Sequence, residues 1–341
     1  MKNLKIFSIA LIVIITACSK KGNSGGSTTI VPTNLVLNAT VSTDNSGNVS
    51  FTASATNAGT YDYDFGNGVF QTVPTGVVTY RYPSSGTYTV NVIAKSSGGQ
   101  TISKSTVITV TVAFGLVWSD EFDTPGAPNS ARWGYDIGGG GWGNNEVQYY
   151  TNRPQNVVIA NGVLKINAIR ENFSGSSFSS ARMLTKDKFS FKYGKVEVRA
   201  KVPVGVGTWP AIWMLGSNIN TTPWPGCGEI DIMEHLGRDL NKIYATLHHP
   251  GNSGANGNGG TTLISNATTE FHKYGLEWTA ASLKFYVDDQ LFYTFPNNPN
   301  IPFNHNFFII LNLAIGGNFA GAVDPALAGA TFEIDYVRVY Q

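Results

Sequence analysis

The segment Gly228-Glu229-Ile230-Asp231-Ile232-Met233-Glu234 alternates acidic and apolar side chains. Successive side chains of a β-strand point to opposite faces of its sheet. Glu229 and Asp231 therefore share one face, and Ile230 and Ile232 share the other. This pattern predicts a strand whose apolar face enters a core and whose acidic face lines a groove.

The third acid of this segment does not follow the alternation. Glu234 lies five residues after Glu229, so a regular strand would turn it to the apolar face. One β-bulge near Met233 would add a residue and return Glu234 to the acidic face. Glycoside hydrolysis needs two carboxyl groups beside the scissile bond, and crowding raises the pKa of some of them. The alternative is a solvated strand face with incidental acids.

The chain around this segment also has the periodicity of strands. Strict alternation recurs at 195–200 (KVEVRA), 283–287 (LKFYV) and 334–339 (IDYVRV), and Asn161-Gly162 marks a turn. No long segment has the 3.6-residue period of a helix. The sequence therefore predicts an all-β protein in which residues 115–341 form one large antiparallel two-sheet sandwich.

The composition agrees with a β-rich extracellular protein. Of the 341 residues, 13% are charged, 12% are aromatic and 38 are glycine. A helical bundle would need many more Glu, Lys and Arg. The net charge of +1 gives no indication of a nucleic-acid partner or of binding to an anionic membrane surface.

The N-terminus is typical of a targeting signal. Lys2 and Lys5 precede a short apolar run that ends in Ala17-Cys18, which resembles a bacterial lipoprotein processing site. We therefore expect a signal peptide at 1–17, a lipid anchor on Cys18, a flexible linker at 18–30, and a place in the outer membrane or at the cell surface of a bacterium. An ordinary signal peptide with an incidental cysteine is the alternative. With Cys18 lipidated, Cys227 would be the only thiol and no disulfide could form.

Residues 31–112 have the pattern of a smaller, immunoglobulin-like β-sandwich, with clean alternation at 87–92 (TYTVNV). The motifs 61–68 (YDYDFGNG), 80–82 (YRY) and 85–90 (SGTYTV) resemble a polycystic-kidney-disease-type (PKD) module. Such modules act as spacers or weak glycan binders, and both roles remain open here.

The second half resembles glycoside hydrolase family 16, in particular its laminarinases, the endo-β-1,3-glucanases. The resemblance rests on 207–215 (GTWPAIWML) and 224–234 (WPGCGEIDIME), with further motifs at 141–146, 148–150, 180–182, 189–194, 246–248 and 311–318. It implies a β-jelly roll with a glycan cleft and an endo-acting, retaining double-displacement hydrolase of β-glucan. It also implies that catalysis needs no cofactor, and we expect a monomer.

The resemblance assigns roles residue by residue. Glu229 would be the nucleophile, Asp231 its helper and Glu234 the general acid/base. The residues implied to line the cleft are Trp209, Trp213, Trp224, Arg182, Asn144 and His248. For each tryptophan, packing in the core is an equal alternative to stacking on sugar.

Family members also often bind one structural calcium ion, for which the matching positions are Glu121, the backbone of Gly162, and Asp335. One departure from the family pattern is Asn318-Phe319, where laminarinases often have tryptophan after the asparagine.

Two competing functions remain. One is a glycan-binding lipoprotein without catalysis, which would retain the aromatic cleft and lose an acid. The other is hydrolysis of mixed-linkage glucan, agarose or carrageenan. Near the acids the sequence has only Arg182 and Arg238, which favours a neutral glucan over a sulfated polysaccharide.

Overall fold

A computed structural model describes residues 30–341 of the chain. The proposed signal peptide, Cys18 and nearly all of the linker lie outside the described residues. The chain divides into two compact units, one ending at Val112 and one comprising Ala113–Gln341. Within residues 30–341, no helix is long and apolar enough to cross a membrane.

The first unit is a small sandwich of two antiparallel sheets. Strands β1, β2 and β5 form one sheet, and the other has the order β4-β3-β6-β7. The bounds are β1 Thr33–Val41, β2 Asn48–Thr56, β3 Thr60–Asp64, β4 Phe70–Val73, β5 Val77–Arg81, β6 Gly86–Lys95 and β7 Thr101–Val110. The core includes Phe51, and the buried Tyr63 and Tyr82 hydroxyls donate hydrogen bonds to the carbonyls of Gly76 and Phe65.

The second unit contains a ten-stranded and a seven-stranded sheet. The larger sheet has the order β10-β13-β12-β24-β15-β20-β21-β22, with β11 paired to β12 and β8 to β24. Its strands are β8 Leu116–Asp120, β10 Gln148–Tyr150, β11 Val157–Ala160, β12 Val163–Phe173, β13 Ser176–Ser180, β15 Gly194–Lys201, β20 His272–Trp278, β21 Ser282–Val287, β22 Gln290–Pro296 and β24 Gly329–Tyr340.

The smaller sheet carries the acidic segment. Its order is β19-β18-β17-β16-β23-β14-β9. Its strands are β9 Gly134–Asp136, β14 Arg182–Leu184, β16 Thr208–Gly216, β17 Glu229–His235, β18 Lys242–His248, β19 Asn258–Leu263 and β23 Phe307–Ile315. A short helix, α1, spans Gly317–Ala320, and single 3-10 turns occupy Gly141–Gly143 and Gly254–Asn256.

Both sheets contribute apolar side chains to one shared core. Ile230 and Leu311 enter it from the seven-stranded sheet, and Leu276 and Val337 enter it from the ten-stranded sheet. Removing such a side chain from water contributes roughly 1.5–3 kcal/mol. The alternating segments at 195–200, 283–287 and 334–339 lie in β15, β21 and β24, so the predicted all-β sandwich is confirmed.

Candidate active site

The acidic segment forms β17, which carries a β-bulge. On β16, Ile212 pairs with Met233 whereas Trp213 pairs with Asp231, so Ile232 has no partner there. A register shift occurs at the same place in the pairing with β18. Ile232 and Met233 are both buried in the core. The bulge therefore accommodates the one additional residue between Glu229 and Glu234, as the spacing of the acids in the sequence predicts. It places Glu234 on the same face as the other two acids.

Two neighbouring strands hold the carboxylate of Glu234. The indole Nε1 of Trp209 on β16 donates to Oε1 at 2.9 Å, and the hydroxyl of Thr246 on β18 donates to Oε2 at 3.0 Å. Phe319 packs edge-on against Trp209 and Tyr244, with ring centroids 5.5 and 5.2 Å away. Both carboxylate oxygens of Glu234 thus accept a hydrogen bond, and Phe319 packs against the ring of Trp209, which donates one of them.

Glu229 and Asp231 lie beside His248, which is the last residue of β18. The distance from His248 Nε2 is 3.3 Å to Asp231 Oδ2 and 3.8 Å to Glu229 Oε1. The side chain of Glu229 is 19% exposed, against 5% for Asp231. Glu229 is therefore the more accessible of the two carboxylates to a ligand in the cleft.

Glu229, Asp231 and Glu234 together form an acidic triad, and burial and crowding raise the pKa of each of its three carboxyl groups. Burial, followed by the charge of Asp231, raises the pKa of Glu229 to about 8. Burial and the charge of Glu234 raise the pKa of Asp231 well above its usual range. Burial also raises the pKa of Glu234, against the opposing effect of the hydrogen bonds from Trp209 and Thr246. The triad consequently retains protons near neutral pH, as a general acid requires.

Arg182, on β14 of the same sheet as the three acids, is the centre of a second cluster of side chains. Its guanidinium lies between two indole rings, 5.0 Å from the centroid of Trp142 and 4.6 Å from that of Trp213. Its Nε is 2.9 Å from a carboxylate oxygen of Asp136 on β9. The stack fixes the orientation of both rings, since a cation is attracted to an aromatic face.

A chain of hydrogen bonds connects this stack to the loop that precedes β10. Trp213 Nε1 donates to Asn312 Oδ1 at 2.7 Å, and Asn312 Nδ2 donates to the Tyr150 hydroxyl at 3.0 Å. That hydroxyl donates to Glu146, which also accepts a bond from Asn144. Asn144 is thus connected through Glu146 to Tyr150 and Asn312. Trp224 is 44% exposed, and its ring centroid lies 5.9 Å from that of His248.

The sequence prediction did not include Thr246, Trp142 or Asn312 among the site residues. Thr246 lies two residues before His248 on one strand, so alternation alone would have placed both on the same face. Trp142 belongs to the quoted motif at 141–146. Asn312 is buried within β23, where it interrupts an otherwise apolar run, and this is a visible signal for a buried hydrogen-bonding role.

The positions predicted for calcium lie away from the triad, on the ten-stranded sheet and its turns. Pairing of β24 with β12 and β8 places Gly162, Asp335 and Glu121 near one another along neighbouring strands. Two carboxylates and a carbonyl suit Ca²⁺. Each carboxylate is also engaged by an arginine: Arg338 binds Glu121 through two hydrogen bonds, and Arg199 is paired with Asp335. A bound ion would therefore have to compete with both guanidinium groups.

The raised pKa of Glu229 has a consequence for stability. The pKa of Glu229 is about 8 in the folded protein and near 4.5 in the unfolded chain. The proton bound by the folded protein therefore contributes stability that is fully present below pH 4.5 and is lost as the pH rises through about 8. Glu229→Gln remains neutral, so its free energy of unfolding should increase relative to wild type between pH 5 and 8. The gain should reach up to about 3 kcal/mol at pH 7. Urea unfolding at each pH measures it.

The matched control is Glu171→Gln. Hydrogen bonds from Arg153 and Ser179 lower the pKa of Glu171, so this carboxylate is ionised over the whole range from pH 5 to 8. Its substitution should therefore change the free energy of unfolding by a constant amount. A difference between wild type and Glu229→Gln that is equally constant over this range would contradict the prediction.

Comparison with known proteins agrees with this geometry. The family model described as glycosyl hydrolases family 16 matches residues 144–338, and a PKD domain model matches 32–112. A beta-glucanase of Rhodothermus marinus is 44% identical over 242 residues, which cover 66% of this chain and 85% of that protein. A glucan endo-1,3-beta-glucosidase of Cryptopygus antarcticus is 40% identical over 251 residues, covering 66% and 92%.

The fold of the second unit is likewise that of solved relatives. The X-ray structure of the laminarinase from Rhodothermus marinus matches with a TM-score of 0.65 and 44% identity, covering 67% of this chain and 98% of that chain. The resemblance predicted from the motifs is thus confirmed, and so is the jelly-roll fold. With a family model that spans more than half of its length, the chain belongs to the glycosyl hydrolases of family 16, and it carries a PKD domain before the hydrolase domain.

Proposed function

We propose that the protein is an endo-acting β-1,3-glucan hydrolase in which Glu229 is the nucleophile and Glu234 the general acid/base. The observation that carries this proposal is the bulged β17, which presents three carboxylates to one cleft in two different environments. Glu229 is the accessible carboxylate beside Asp231 and His248. Glu234 is bound by Trp209 and Thr246, which orient it toward the leaving-group oxygen.

The reaction proceeds in two displacements. The Glu229 carboxylate attacks the anomeric carbon, the glycosidic C–O bond breaks, and the Glu234 proton passes to the leaving oxygen. Water then attacks the same carbon, Glu234 takes a proton from that water, and Glu229 is released as a carboxylate. Asp231, with its raised pKa, holds a proton beside Glu229 and so adds no second negative charge next to the nucleophile. The attacking form of Glu229 is the fraction that has lost its own proton.

A neutral glucan fits the cleft better than a sulfated polysaccharide does. The guanidinium of Arg182 is already stacked between Trp142 and Trp213 and paired with Asp136. Arg238 donates to the backbone carbonyls of Phe319 and Ala320. The Arg182 guanidinium is therefore already engaged, and Nη1 of Arg238 is taken by two carbonyl groups. The indole rings of Trp209, Trp213 and Trp224 offer surfaces for uncharged sugar rings.

The substrate assignment predicts an order of activity on four polysaccharides. Laminarin should be hydrolysed fastest, lichenan more slowly, and agarose and carrageenan at least tenfold more slowly than laminarin. Release of reducing ends from each polymer, with the products separated by size, measures both the preference and the endo mode. Release of sugar from agarose but not from laminarin would overturn the assignment, and no turnover of any polymer would favour a glycan-binding protein.

Substitution of Glu229 and substitution of Glu234 should impair hydrolysis at different steps. Glu229→Ala removes the covalent step, so azide should restore turnover of an activated β-glucoside by direct displacement and give an α-glycosyl azide. Glu234→Ala retains the nucleophile but lacks the base, so azide should intercept the glycosyl-enzyme and give a β-glycosyl azide. Proton NMR of the anomeric centre distinguishes the adducts. A β adduct from the Glu229 variant would show that the roles are reversed.

We also propose that the protein is exported and held as a monomer on the outer membrane or cell surface by lipid on Cys18, with residues 18–30 as a tether. The Ala17-Cys18 junction after the apolar run supports this. Cys18→Ala should move the protein from the membrane fraction to the soluble fraction. Cys227→Ala, at the only other cysteine, should leave the distribution unchanged. A wild-type protein found in the soluble fraction would contradict the anchor.

A structural calcium ion at Glu121, Gly162 and Asp335 is the last part of this proposal. Binding to the folded state alone stabilises by about 2.7 kcal/mol when the ion is present at 100 times its Kd. Added Ca²⁺ should therefore raise the melting temperature of chelator-treated protein. The double variant Glu121→Gln, Asp335→Asn should lose this response. An unchanged melting temperature, with no calcium found by elemental analysis, would remove the site.

A further inference from the structure

We propose that Glu229, Asp231 and His248 form a binding site for one divalent metal ion such as Zn²⁺. An ion bound at this site would block access of the substrate to Glu229. Each of these residues offers one ligand atom, and the three atoms lie within 4.8 Å of one another. The site is distinct in place and chemistry from the calcium positions on the ten-stranded sheet.

The distances between the ligand atoms suit a tetrahedral ion. With metal–ligand bonds of about 2.0–2.1 Å, two ligands of a tetrahedral ion are about 3.3 Å apart. His248 Nε2 lies 3.3 Å from Asp231 Oδ2 and 3.8 Å from Glu229 Oε1. The two distances from His248 are thus within about 0.5 Å of the tetrahedral spacing, and the Glu229 and Asp231 oxygens, which lie within 4.8 Å of each other, need to approach by no more than about 1.5 Å. One nitrogen and two carboxylate oxygens would leave a fourth position open to water.

A second observation points to a ligand at this place. Asp231 Oδ2 is buried and accepts no hydrogen bond from any described residue, and its side chain is 5% exposed. An unsatisfied buried acceptor costs about 1–3 kcal/mol. A cation between Asp231 and His248 would satisfy this oxygen. It would displace the protons that the two carboxyl groups hold, and the two carboxylates so formed would neutralise its double charge.

The donors are held in place by their surroundings. β17 and β18 are paired, and their register sets Glu229 directly opposite His248. A β-carbon built on Gly257 would lie 2.7 Å from His248 Cε1, so only glycine permits this close approach of the backbone to the imidazole ring. The pre-arranged donors therefore lose little freedom when an ion binds.

The ligand set discriminates between classes of ion. Ca²⁺ and Mg²⁺ require six or more oxygen ligands, whereas imidazole nitrogen favours zinc and its neighbours. A second histidine–carboxylate pair, His272 and Asp288, has its ring nitrogen 2.6 Å from the carboxylate but lies on the other sheet. Within residues 30–341 this pair belongs to no group of three such ligands, which makes His272 a suitable control.

Binding can be tested on the wild-type protein without measuring activity. Titration calorimetry with ZnCl₂ should show one site. Co²⁺ should give the intense visible absorption of a four-coordinate ion, which added Zn²⁺ abolishes and added Mg²⁺ leaves unchanged. His248→Gln and Asp231→Asn should each weaken Zn²⁺ binding at least tenfold, whereas His272→Gln should not. Circular dichroism and melting temperature show whether each variant is folded.

The outcomes separate this proposal from the proposed function. Blocking of hydrolysis rests on Glu229 being the nucleophile, but calorimetry and Co²⁺ absorption do not, so a protein inactive on laminarin would leave the metal result intact. Zn²⁺ should inhibit hydrolysis competitively with laminarin. Absence of binding, unchanged binding in folded His248→Gln and Asp231→Asn, or equal loss in His272→Gln would overturn the site.

Discussion

The β-bulge at Ile232 and Met233 is the constraint on which the site depends. Side chains on a regular strand alternate strictly, so two acids five positions apart, such as Glu229 and Glu234, would point to opposite faces. The bulge adds one residue, and both residues at it remain in the core. The apolar packing that stabilises the sandwich is therefore the same packing that holds Glu229, Asp231 and Glu234 on one face. A one-residue change of register would bury the acids and expose the core.

Three carboxylates buried so close together destabilise the folded state, and hydrogen-bond donors on the neighbouring strands offset part of this cost. Trp209 and Thr246 donate to both oxygens of Glu234, while Asp231 is left with an oxygen that accepts no hydrogen bond from the described residues. The three groups consequently differ in solvation although they share a strand. Different environments for similar carboxyl groups are what allow one to act as nucleophile and another as acid.

Much of this could be predicted from the sequence, and the remainder has a physical reason. Alternation within β15, β17, β21 and β24 is local, so the strands and the bulge were predictable from spacing alone. The stack of Arg182 between Trp142 and Trp213 brings together residues from separate parts of the chain. Likewise, Arg338 and Arg199 engage the carboxylates of the predicted calcium positions because β24 pairs with β8 and β15. Such contacts depend on register between strands, which no short pattern specifies.

The location of the donors shows why the site belongs to the sheet more than to its loops. Trp209 is on β16, Thr246 and His248 are on β18, and the acids are on β17 between them. Each donor reaches its carboxylate because paired strands are spaced about 4.8 Å apart and their side chains on one face are neighbours. The hydrogen bonds of the sheet thus fix the distances between these donors and the carboxylates, whereas Trp224, 44% exposed and outside the strands, is not held by this register.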